Sequence, residues 1–410
     1  MLGCSVVQAG NNSDGDCETY NLSSSCRVAP PPPPVVVIPP RTNFTKDELV
    51  LLYPGNDQTK IKSVTQRYNL KPISKVNLSS IKTGMIVAKT NGQNPLSLSK
   101  NINNKEKNIE AATNNVFSPA MLPSTPSSSN RNAYSMYETG VSFVHKTTKG
   151  KGVKICMIDT PVDLNHSSFS TSLVDTLDLV DYDSTNSDSM LHGTAVAGIL
   201  VSQNAHIGIA PKSKLLAIGA FTTTETRPFL LQGESSAIAE ALDLCIQHNV
   251  DVINLSFTGG KDSLVEKVIN KALEKGIIVV AAGGNGGYTG STIYPALIPG
   301  VITATAIDKN QELFKMANKG RFIDYAAPGV SVLTIAPEGK YKVLTGTSLS
   351  SAHLSGVVAL LVSQGLSNKV VTSIDNILTT TALDLGVPGR DQEFGEGLIS
   401  ASRALAVIKK

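Results

Sequence analysis

The sequence predicts an α/β protein in which a doubly wound, mostly parallel sheet lies between two helical layers, preceded by a small α+β domain. Two observations predict the sheet. Five segments after Tyr134 are apolar on both faces, as strands covered by helices on both sides must be. Amphipathic helical segments alternate with them, which favours parallel strands joined by right-handed crossovers. The five segments are VKICMID, LLAIGAF, DVINLSF, GIIVVAAGG and GVITATAID.

A smaller domain over residues 44–117 is predicted by a different order of elements. The segments ELVLLYP, QTKIKSVTQRYN, PISKVNL, GMIVAKT, NPLSLSKNIN and KNIEAATNN read as strand, helix, two strands, helix and strand. That order is the split βαβ arrangement of a ferredoxin-like domain. Residues 1–43 precede it as a disordered, Pro-rich tail that contains cysteines. The Ser/Pro/Asn-rich residues 118–133 form a linker to the large domain, residues 134–410.

The composition is that of an ordinary globular enzyme. With 410 residues, 41% of them apolar, the chain can bury one large core and a smaller one. Thirty-six basic and 33 acidic residues leave a formal net charge of +3, which argues against nucleic acid as a partner. No apolar stretch approaches the roughly 20 residues that a transmembrane helix needs.

The cysteines fall into three settings. Cys17 and Cys26 lie in the polar tail, where they either close a small disulfide loop or stay free. Cys156 and Cys245 lie in apolar periodic segments, and we interpret them as buried small hydrophobic residues rather than redox groups. Cys4, in MLGCS, is similar to the acylated cysteine of a bacterial lipoprotein signal, although the preceding apolar segment is missing. The Pro-rich spacer suits either a lipid-anchored or a freely secreted protein.

Three separated segments carry the residue types of a nucleophilic hydrolase. Asp159 ends VKICMID, His192 opens HGTAVAGIL, and Ser348 lies at the start of the helix in GTSLSSAHLSG. A serine hydroxyl needs an imidazole to take its proton, and the imidazole needs a carboxylate to hold its tautomer. In isolation, Ser348 would be a helix cap and Asp159 a turn residue. Together, the three settings favour an Asp-His-Ser triad.

Asn285 is the fourth candidate catalytic residue. It lies in VVAAGGNGG, where a strand ends in a glycine-rich turn that can bring a side-chain amide close to a reacting carbonyl. Asparagine is also frequent in such turns because it tolerates positive φ, so the surrounding motif carries the argument. The backbone N–H of Ser348, in the first turn of its helix, is a second candidate donor to an oxyanion.

Residues 134–410 resemble the catalytic domain of the subtilisin-like serine proteases, the subtilases or peptidase S8 family. The resemblance rests on Asp159, His192, Asn285 and Ser348 in the motifs quoted above, and extends to DVINLS, YPA, APGV and GEGLISA. The order Asp, His, Ser along the chain is that of subtilisin. The resemblance implies a subtilisin-like fold and a serine endopeptidase that needs no cofactor for its chemistry. Structural calcium is common in the family, but no compact Asp/Asn cluster allows a site to be assigned.

The resemblance also implies how a protein or peptide substrate binds. The substrate would lie extended between two edge segments and add to them as a strand. Loops around the nucleophile would line the first side-chain pocket. The residues expected to bind substrate are Leu231, Gln232, Gly233, Ser256, Phe257, Thr258, Ala282, Gly283 and Gly284.

Residues 44–117 resemble the N-terminal propeptide of secreted subtilases. The resemblance implies an inhibitory partner in cis, removed when the chain cuts itself between Asn114 and Met136, and a secreted or bacterial cell-envelope protein. A lipidated Cys4 would be its only membrane attachment. Two other functions are considered. A catalytically inactive subtilase fold is disfavoured by the intact site residues, and an esterase would carry G-x-S-x-G, whereas Ser348 lies in GTSLS.

Overall fold

The computed structural model describes most of the chain after the N-terminal tail. The described residues are 44–55, 57–123, 134–224, 227–287, 293–365 and 371–408. The tail 1–43, with Cys4, Cys17 and Cys26, and residues 124–133 of the predicted linker lie outside them, so the predictions for these residues stay predictions. Within the described residues, no helix is long and apolar enough to cross a membrane.

The first six elements form an antiparallel sheet with two helices on one face. They are β1 (Phe44–Pro54), α1 (Gln58–Arg67), β2 (Lys71–Leu78), β3 (Thr83–Lys89), α2 (Pro95–Lys105) and β4 (Glu110–Pro119), with a 3₁₀ turn at Ser79–Ile81. The strand order is β2-β3-β1-β4 and every pair is antiparallel, which is the predicted ferredoxin-like arrangement. Asp57 and Asn94 cap the two helices by accepting hydrogen bonds from the N–H groups of Lys60 and Ser97.

The remaining elements belong to the large domain, except β5, which lies in the predicted linker. They are β5 (Leu122–Pro123), α3 (Tyr134–Glu138), α4 (Val141–Val144), β6 (Lys154–Asp159), β7 (Val174–Asp178), α5 (Asp188–Val201), β8 (Lys214–Gly219), β9 (Thr222–Thr224), β10 (Arg227–Glu234), α6 (Ser235–Gln247), β11 (Val252–Leu255), β12 (Phe257–Gly259), α7 (Ser263–Glu274), β13 (Ile278–Ala282), β14 (Ile302–Ile307), β15 (Tyr325–Pro328), β16 (Val332–Ala336), β17 (Lys340–Thr345), α8 (Thr347–Val362), α9 (Val371–Thr381) and α10 (Ala401–Ile408). Seven strands form a parallel sheet in the order β15-β14-β13-β11-β6-β8-β7.

Strand β6 shows how helices cover both faces of this sheet. Ile155 and Met157 point into a core shared with α5 and α8, whereas Cys156 and Ile158 point into a core shared with α6 and α7. All four side chains are fully buried. Because successive side chains of a strand point to opposite faces, a run that is apolar on both faces needs a helical layer on each side. The predicted three-layer α/β fold is therefore confirmed.

The order of strands reverses at the centre of the sheet. From β6 the chain runs through β7 and β8 on one side, and it returns to β11 on the other side of β6. The crevice at the carboxyl ends of two such strands is where open α/β sheets bind their ligands. Asp159 is the last residue of β6, and Ser256 directly follows β11.

The N-terminal sheet packs with its free face on helices α6 and α7. Val50 and Leu52 of β1 share a buried cluster with Leu242 of α6 and Val265 of α7. Asp243 of α6 also accepts hydrogen bonds from the backbone N–H groups of the 3₁₀ turn over residues 79–81, at 3.0 and 2.7 Å. The two sheets thus share one apolar core across α6 and α7.

Cys156 of β6 and Cys245 of α6 form a disulfide, with their Cα atoms 5.8 Å apart. Both residues are buried as predicted, but they are bonded to each other, so the interpretation of them as small hydrophobic residues rather than redox groups is wrong. Strand and helix pack side by side in one core, so they bring together two cysteines that are 89 residues apart in sequence. The periodicity of each segment predicted its burial and contained no information on its partner.

Candidate active site

Asp159, His192 and Ser348 form one continuous hydrogen-bonded chain. Nδ1 of His192 lies 2.5 Å from Oδ1 of Asp159, and Nε2 of His192 lies 3.0 Å from Oγ of Ser348. The three residues come from the end of β6, from α5 and from the first turn of α8. An imidazole in this position can take the serine proton while the carboxylate fixes the tautomer that carries hydrogen on Nδ1.

A glycine lets α5 approach the end of β6. Oδ1 of Asp159 accepts a second hydrogen bond from the N–H of Thr160 at 2.7 Å, and the N–H of Gly193 donates to Oγ1 of Thr160 at 2.8 Å. A Cβ atom on Gly193 would lie 2.2 Å from the Thr160 carbonyl oxygen, so any larger residue would push the helix away. The small residue after His192 is therefore needed to keep imidazole and carboxylate in contact.

Asn285 and the start of α8 line a polar pocket beside Ser348. Oδ1 of Asn285 accepts hydrogen bonds from the N–H of Thr347 at 3.0 Å and from its Oγ1 at 2.9 Å. These bonds orient the amide and leave Nδ2, which is buried and has no partner among the described residues. A buried donor left unpaired is unfavourable, so Nδ2 of Asn285 can donate a hydrogen bond to a group that binds beside Ser348.

The backbone that follows the N-terminal domain enters this pocket. The N–H of Ser348 donates to the carbonyl oxygen of Ala120 at 3.1 Å, and the N–H of Ala120 donates to the carbonyl oxygen of Ser256 at 3.1 Å. A Cβ atom on Gly346 would lie 2.4 Å from the same Ala120 oxygen and 2.7 Å from Cα of Met121. The chain therefore passes where only glycine leaves room, with the carbonyl of the Ala120–Met121 peptide bond at the first turn of α8.

The end of β4 lies as an added antiparallel strand between β10 and β12, in the groove that we call the cleft. Residues 116–119 pair with β10 on one side and with β12 on the other. The cleft residues in these two ladders are Gly233 and Glu234 of β10 and Phe257, Thr258 and Gly259 of β12. Beyond the Ala120–Met121 bond, β5 pairs with the end of β17. Such strand addition is a general way of binding an extended peptide, and here it buries Asp159, His192 and Ser348 to 2%, 1% and 0% exposure.

Phe117 of β4 is fully buried in an aromatic pocket of the cleft. Its ring meets Phe257 edge to face, with the ring centroids 5.7 Å apart, and Phe257 packs in turn on Phe221 at 5.0 Å. A Cβ atom on Gly259 would lie 2.2 Å from the Phe117 ring. The absence of a side chain at Gly259 thus makes room for an aromatic residue three positions before Ala120.

The large domain is similar to known proteins along most of its length. The model of the Subtilase family, peptidase S8, matches residues 150–397, which is more than half of the chain. The chain belongs to the subtilase family. The thermophilic serine proteinase of Bacillus sp. (strain AK1) is 33% identical over 282 residues, which are 66% of this chain and 67% of that protein. Subtilisin DY of Bacillus licheniformis is 34% identical over 263 residues, 62% of this chain and 92% of the relative.

The fold of this subtilase is also found in a solved structure. Fervidolysin from Fervidobacterium pennivorans, a keratinolytic enzyme related to subtilisin, matches with a TM-score of 0.71 at 21% sequence identity. The match covers 88% of this chain and 61% of fervidolysin, so the chain spans less than two thirds of that protein. The predicted subtilisin-like fold is confirmed.

Family membership also confirms the predicted class of activity. The chain is a serine-type endopeptidase that acts on protein or peptide substrates, and catalysis in the family needs no cofactor. Within the described ranges, no three His, Cys, Asp or Glu side chains come together as a metal-binding group. Calcium, which is common in the family, therefore stays unassigned.

Of the nine residues expected to bind substrate, four lie along β4, two pair with another strand, and three lie in the turn after β13. Those in contact with the strand through their backbone are Gly233, Ser256, Phe257 and Thr258. Leu231 and Gln232 instead pair with β9, because the register of β10 brings its last residues, Gly233 and Glu234, to β4. Glu234 and Gly259 were missed, since strand register depends on partners that are distant in sequence.

The turn after β13 carries the other three expected residues. Ala282 ends the strand, the carbonyl oxygen of Gly283 accepts a hydrogen bond from Nδ2 of Asn318 at 2.8 Å, and the N–H of Gly284 donates to Oγ1 of Thr347 at 2.9 Å. These bonds hold the turn against the start of α8. Ala282, Gly283 and Gly284 thus lie next to the first turn of α8, which carries Ser348, and their role in binding substrate stays a prediction.

Proposed function

We propose that this endopeptidase cleaves peptide bonds through Asp159, His192 and Ser348, with Asn285 as an oxyanion donor. We further propose that it is made as a zymogen that cuts itself at the Ala120–Met121 bond. One observation carries the proposal: the carbonyl oxygen of Ala120 is hydrogen-bonded to the N–H of Ser348, the residue whose Oγ lies 3.0 Å from Nε2 of His192.

In the proposed reaction, Oγ of Ser348 attacks the carbonyl carbon while its proton passes to Nε2 of His192. The carbonyl oxygen becomes negatively charged between the N–H of Ser348 and Nδ2 of Asn285. The carboxylate of Asp159 accepts the hydrogen bond from Nδ1 of His192 and stabilises the imidazolium. The imidazolium then donates its proton to the leaving amine, and a water molecule repeats the sequence to hydrolyse the acyl-enzyme.

The N-terminal domain is the proposed inhibitor. Its last strand fills the cleft with main-chain hydrogen bonds, Phe117 occupies the aromatic pocket, and its sheet shares a core with α6 and α7. A protein substrate cannot reach Ser348 while this strand is in place. The Ala120–Met121 bond lies within the segment between Asn114 and Met136 where the sequence predicts processing.

The proposed location is outside the cytoplasm, as a secreted or cell-envelope protein. Disulfides persist in oxidising compartments and are rare in the cytosol, so the buried Cys156–Cys245 bond supports this location. Lipidation of Cys4 stays a separate prediction, which mass spectrometry of the purified N-terminal peptide would test.

The test of self-processing compares full-length wild type with Ser348→Ala. Wild type should yield an N-terminal fragment ending at Ala120 and a mature chain starting at Met121, whereas Ser348→Ala should remain uncut. Ser363→Ala, at the other end of α8, is the matched control and should be processed like wild type. Intact mass and N-terminal sequencing read the site, and a fluorophosphonate probe should label Ser348 of the mature chain. A cut at another bond, or processing of Ser348→Ala, would contradict the proposal.

A further inference from the structure

Two carboxylates meet across the interface between the N-terminal domain and the catalytic domain. Asn114 of β4 is fully buried, and its Nδ2 donates to Oε2 of Glu48 at 2.9 Å and to Oε2 of Glu234 at 2.7 Å. Glu48 belongs to β1, and Glu234 is the last residue of β10. The two hydrogens of one amide therefore serve two carboxylates, one on each side of an interface that must open when the domain leaves.

The amide of Asn114 is held in this orientation by the start of α6. Its Oδ1 accepts hydrogen bonds from the N–H of Ser236 at 3.2 Å and from Oγ of Ser235 at 3.3 Å. The next residue, Asn115, faces another way, and its amide donates to Asp262 at the start of α7 at 2.9 Å. Asn114 thus cannot turn away from the carboxylates, and Asp262 stands apart from them.

The charges on the two sides of Asn114 are unequal. Nζ of Lys89 lies 3.0 Å from Oε1 of Glu48 and 3.0 Å from Oδ2 of Asp47, so this cation is shared by two carboxylates of β1. The charged groups that face Glu234 are Glu48 and Asp47 on β1 and Lys89 on β3. From β4 it meets only a neutral amide. Burial, first of all, and then the charge of Glu48 raise the pKa of Glu234 from its ordinary 4.5 to about 7.

We propose that Glu48 and Glu234, bridged by Asn114, make release of the cleaved N-terminal domain pH-dependent: the fragment stays bound in acid and leaves as the pH rises to neutrality. This proposal rests on the self-processing proposed above. With Glu234 neutral, the catalytic domain places no negative charge opposite Glu48, and Lys89 lies beside the two carboxylates of β1. With Glu234 ionised, two negative charges repel each other across a poorly solvated interface, and separation of the domains relieves that repulsion.

The direction of the effect follows from proton uptake. In the released enzyme Glu234 is open to water and faces no Glu48, so its pKa returns towards 4.5. The complex then binds more protons than its separated parts. The contribution of Glu234 to the stability of the complex is complete below pH 4.5, and it is lost as the pH rises to about 7. The two pKa values correspond to a rise in the dissociation constant of at most about 300-fold. Glu234 precedes α6 both in the complex and in the released enzyme. The dipole of α6 therefore affects the pKa of Glu234 about equally in both, and it contributes little to the difference between them.

The test uses full-length protein that has been allowed to cut itself. Samples are shifted to a series of values from about pH 5 to about pH 8, and gel filtration measures the fraction of N-terminal fragment that elutes with the mature chain. A denaturing gel of the same samples measures cleavage separately. Wild type should keep the fragment in acid and lose it near neutrality, with a dissociation constant that rises by about 70-fold over this pH range.

Three variants decide the outcome. Glu234→Gln should keep the fragment at every pH, and Glu48→Gln should show a smaller pH dependence, because burial of Glu234 remains. Glu274→Gln, which removes an exposed carboxylate paired with Lys271 on α7, should keep the wild-type profile. A wild-type pH profile in Glu234→Gln, or no pH dependence in wild type, would overturn the proposal. Absence of cleavage in wild type would instead refute the self-processing, and this proposal with it.

Discussion

The pocket around Phe117 should decide which residue the enzyme accepts as the fourth residue before the cleaved bond. A Cβ atom on Gly259 would lie 2.2 to 2.7 Å from three atoms of the Phe117 ring, far inside contact distance. The backbone at Gly259 does not have positive φ, so alanine can adopt its conformation. Gly259→Ala should therefore close the pocket to aromatic side chains while leaving the fold and the triad intact.

The size of the effect follows from the burial of Phe117. Removing a fully buried phenylalanine costs about 3 to 5 kcal/mol, and the edge-to-face contact with Phe257 is part of that cost. In kcat/KM this corresponds to a preference of about 100- to 1000-fold for phenylalanine over alanine, after some allowance for the mobility of a short peptide. Gly259→Ala should remove most of that preference.

The assay compares two chromogenic peptides on mature enzyme, one ending Phe-Ser-Pro-Ala and one ending Ala-Ser-Pro-Ala. Wild type should strongly prefer the first, and Gly259→Ala should lose activity on the first only. In the full-length chain, Gly259→Ala should slow self-cleavage, and adding Phe117→Ala should restore part of the rate. An equal loss on both peptides would refute the reasoning, because it would mean that the new methyl group disturbs the catalytic residues.

Three further predictions concern single features of the catalytic domain. Asn285→Ala should lower kcat by about 100- to 1000-fold with KM little changed, which is the loss seen when subtilisin is deprived of one oxyanion donor; a loss confined to KM would contradict the oxyanion role. Replacing both Cys156 and Cys245 by alanine should lower the free energy of unfolding by about 4 to 5 kcal/mol, because their bond closes a long loop, and urea unfolding in the uncleaved Ser348→Ala background measures this. Burial lowers the pKa of His353 from 6.5 to about 4, so stability should fall as the pH drops from 6.5 towards 4; His353→Gln should flatten that part of the Tm profile, and an unchanged slope would assign it to other groups.

Local patterns were sufficient to predict most of the elements and to select three residues, Asp159, His192 and Ser348, that the fold brings into contact. Asp159, His192 and Ser348 each lie at the end of a strand or near the start of a helix, and a short window of sequence defines such a position. Strands such as β6 are apolar on both faces because helices cover both faces. The burial of these strands could therefore be predicted directly from their sequence. What brings the three ends together is the strand order, and the alternation of strands and helices restricts that order strongly.

Features that depend on two distant segments could not be predicted in the same way. The register of β10 decides that Glu234 rather than Leu231 meets β4, and no property of either segment alone fixes that register. The disulfide needs the relative position of β6 and α6. The contact of Glu48 and Glu234 through Asn114 depends on how the N-terminal domain packs on the catalytic domain. Each is a consequence of packing, which the sequence encodes only through the whole fold.

Strand β4 is part of the N-terminal sheet and also fills the cleft of the catalytic domain. The proposed cleavage would therefore not by itself activate the enzyme. It pairs with β1 inside the N-terminal sheet and with β10 and β12 inside the cleft. The proposed hydrolysis of the Ala120–Met121 bond would break none of these hydrogen bonds, and it would leave a new carboxylate facing the N–H of Ser348 at the positive end of α8. On this proposal, the N-terminal fragment produced by the first turnover would remain bound in the cleft as an inhibitor. Activity then depends on whatever weakens the domain interface, and a carboxylate pair that must share one amide lies inside that interface.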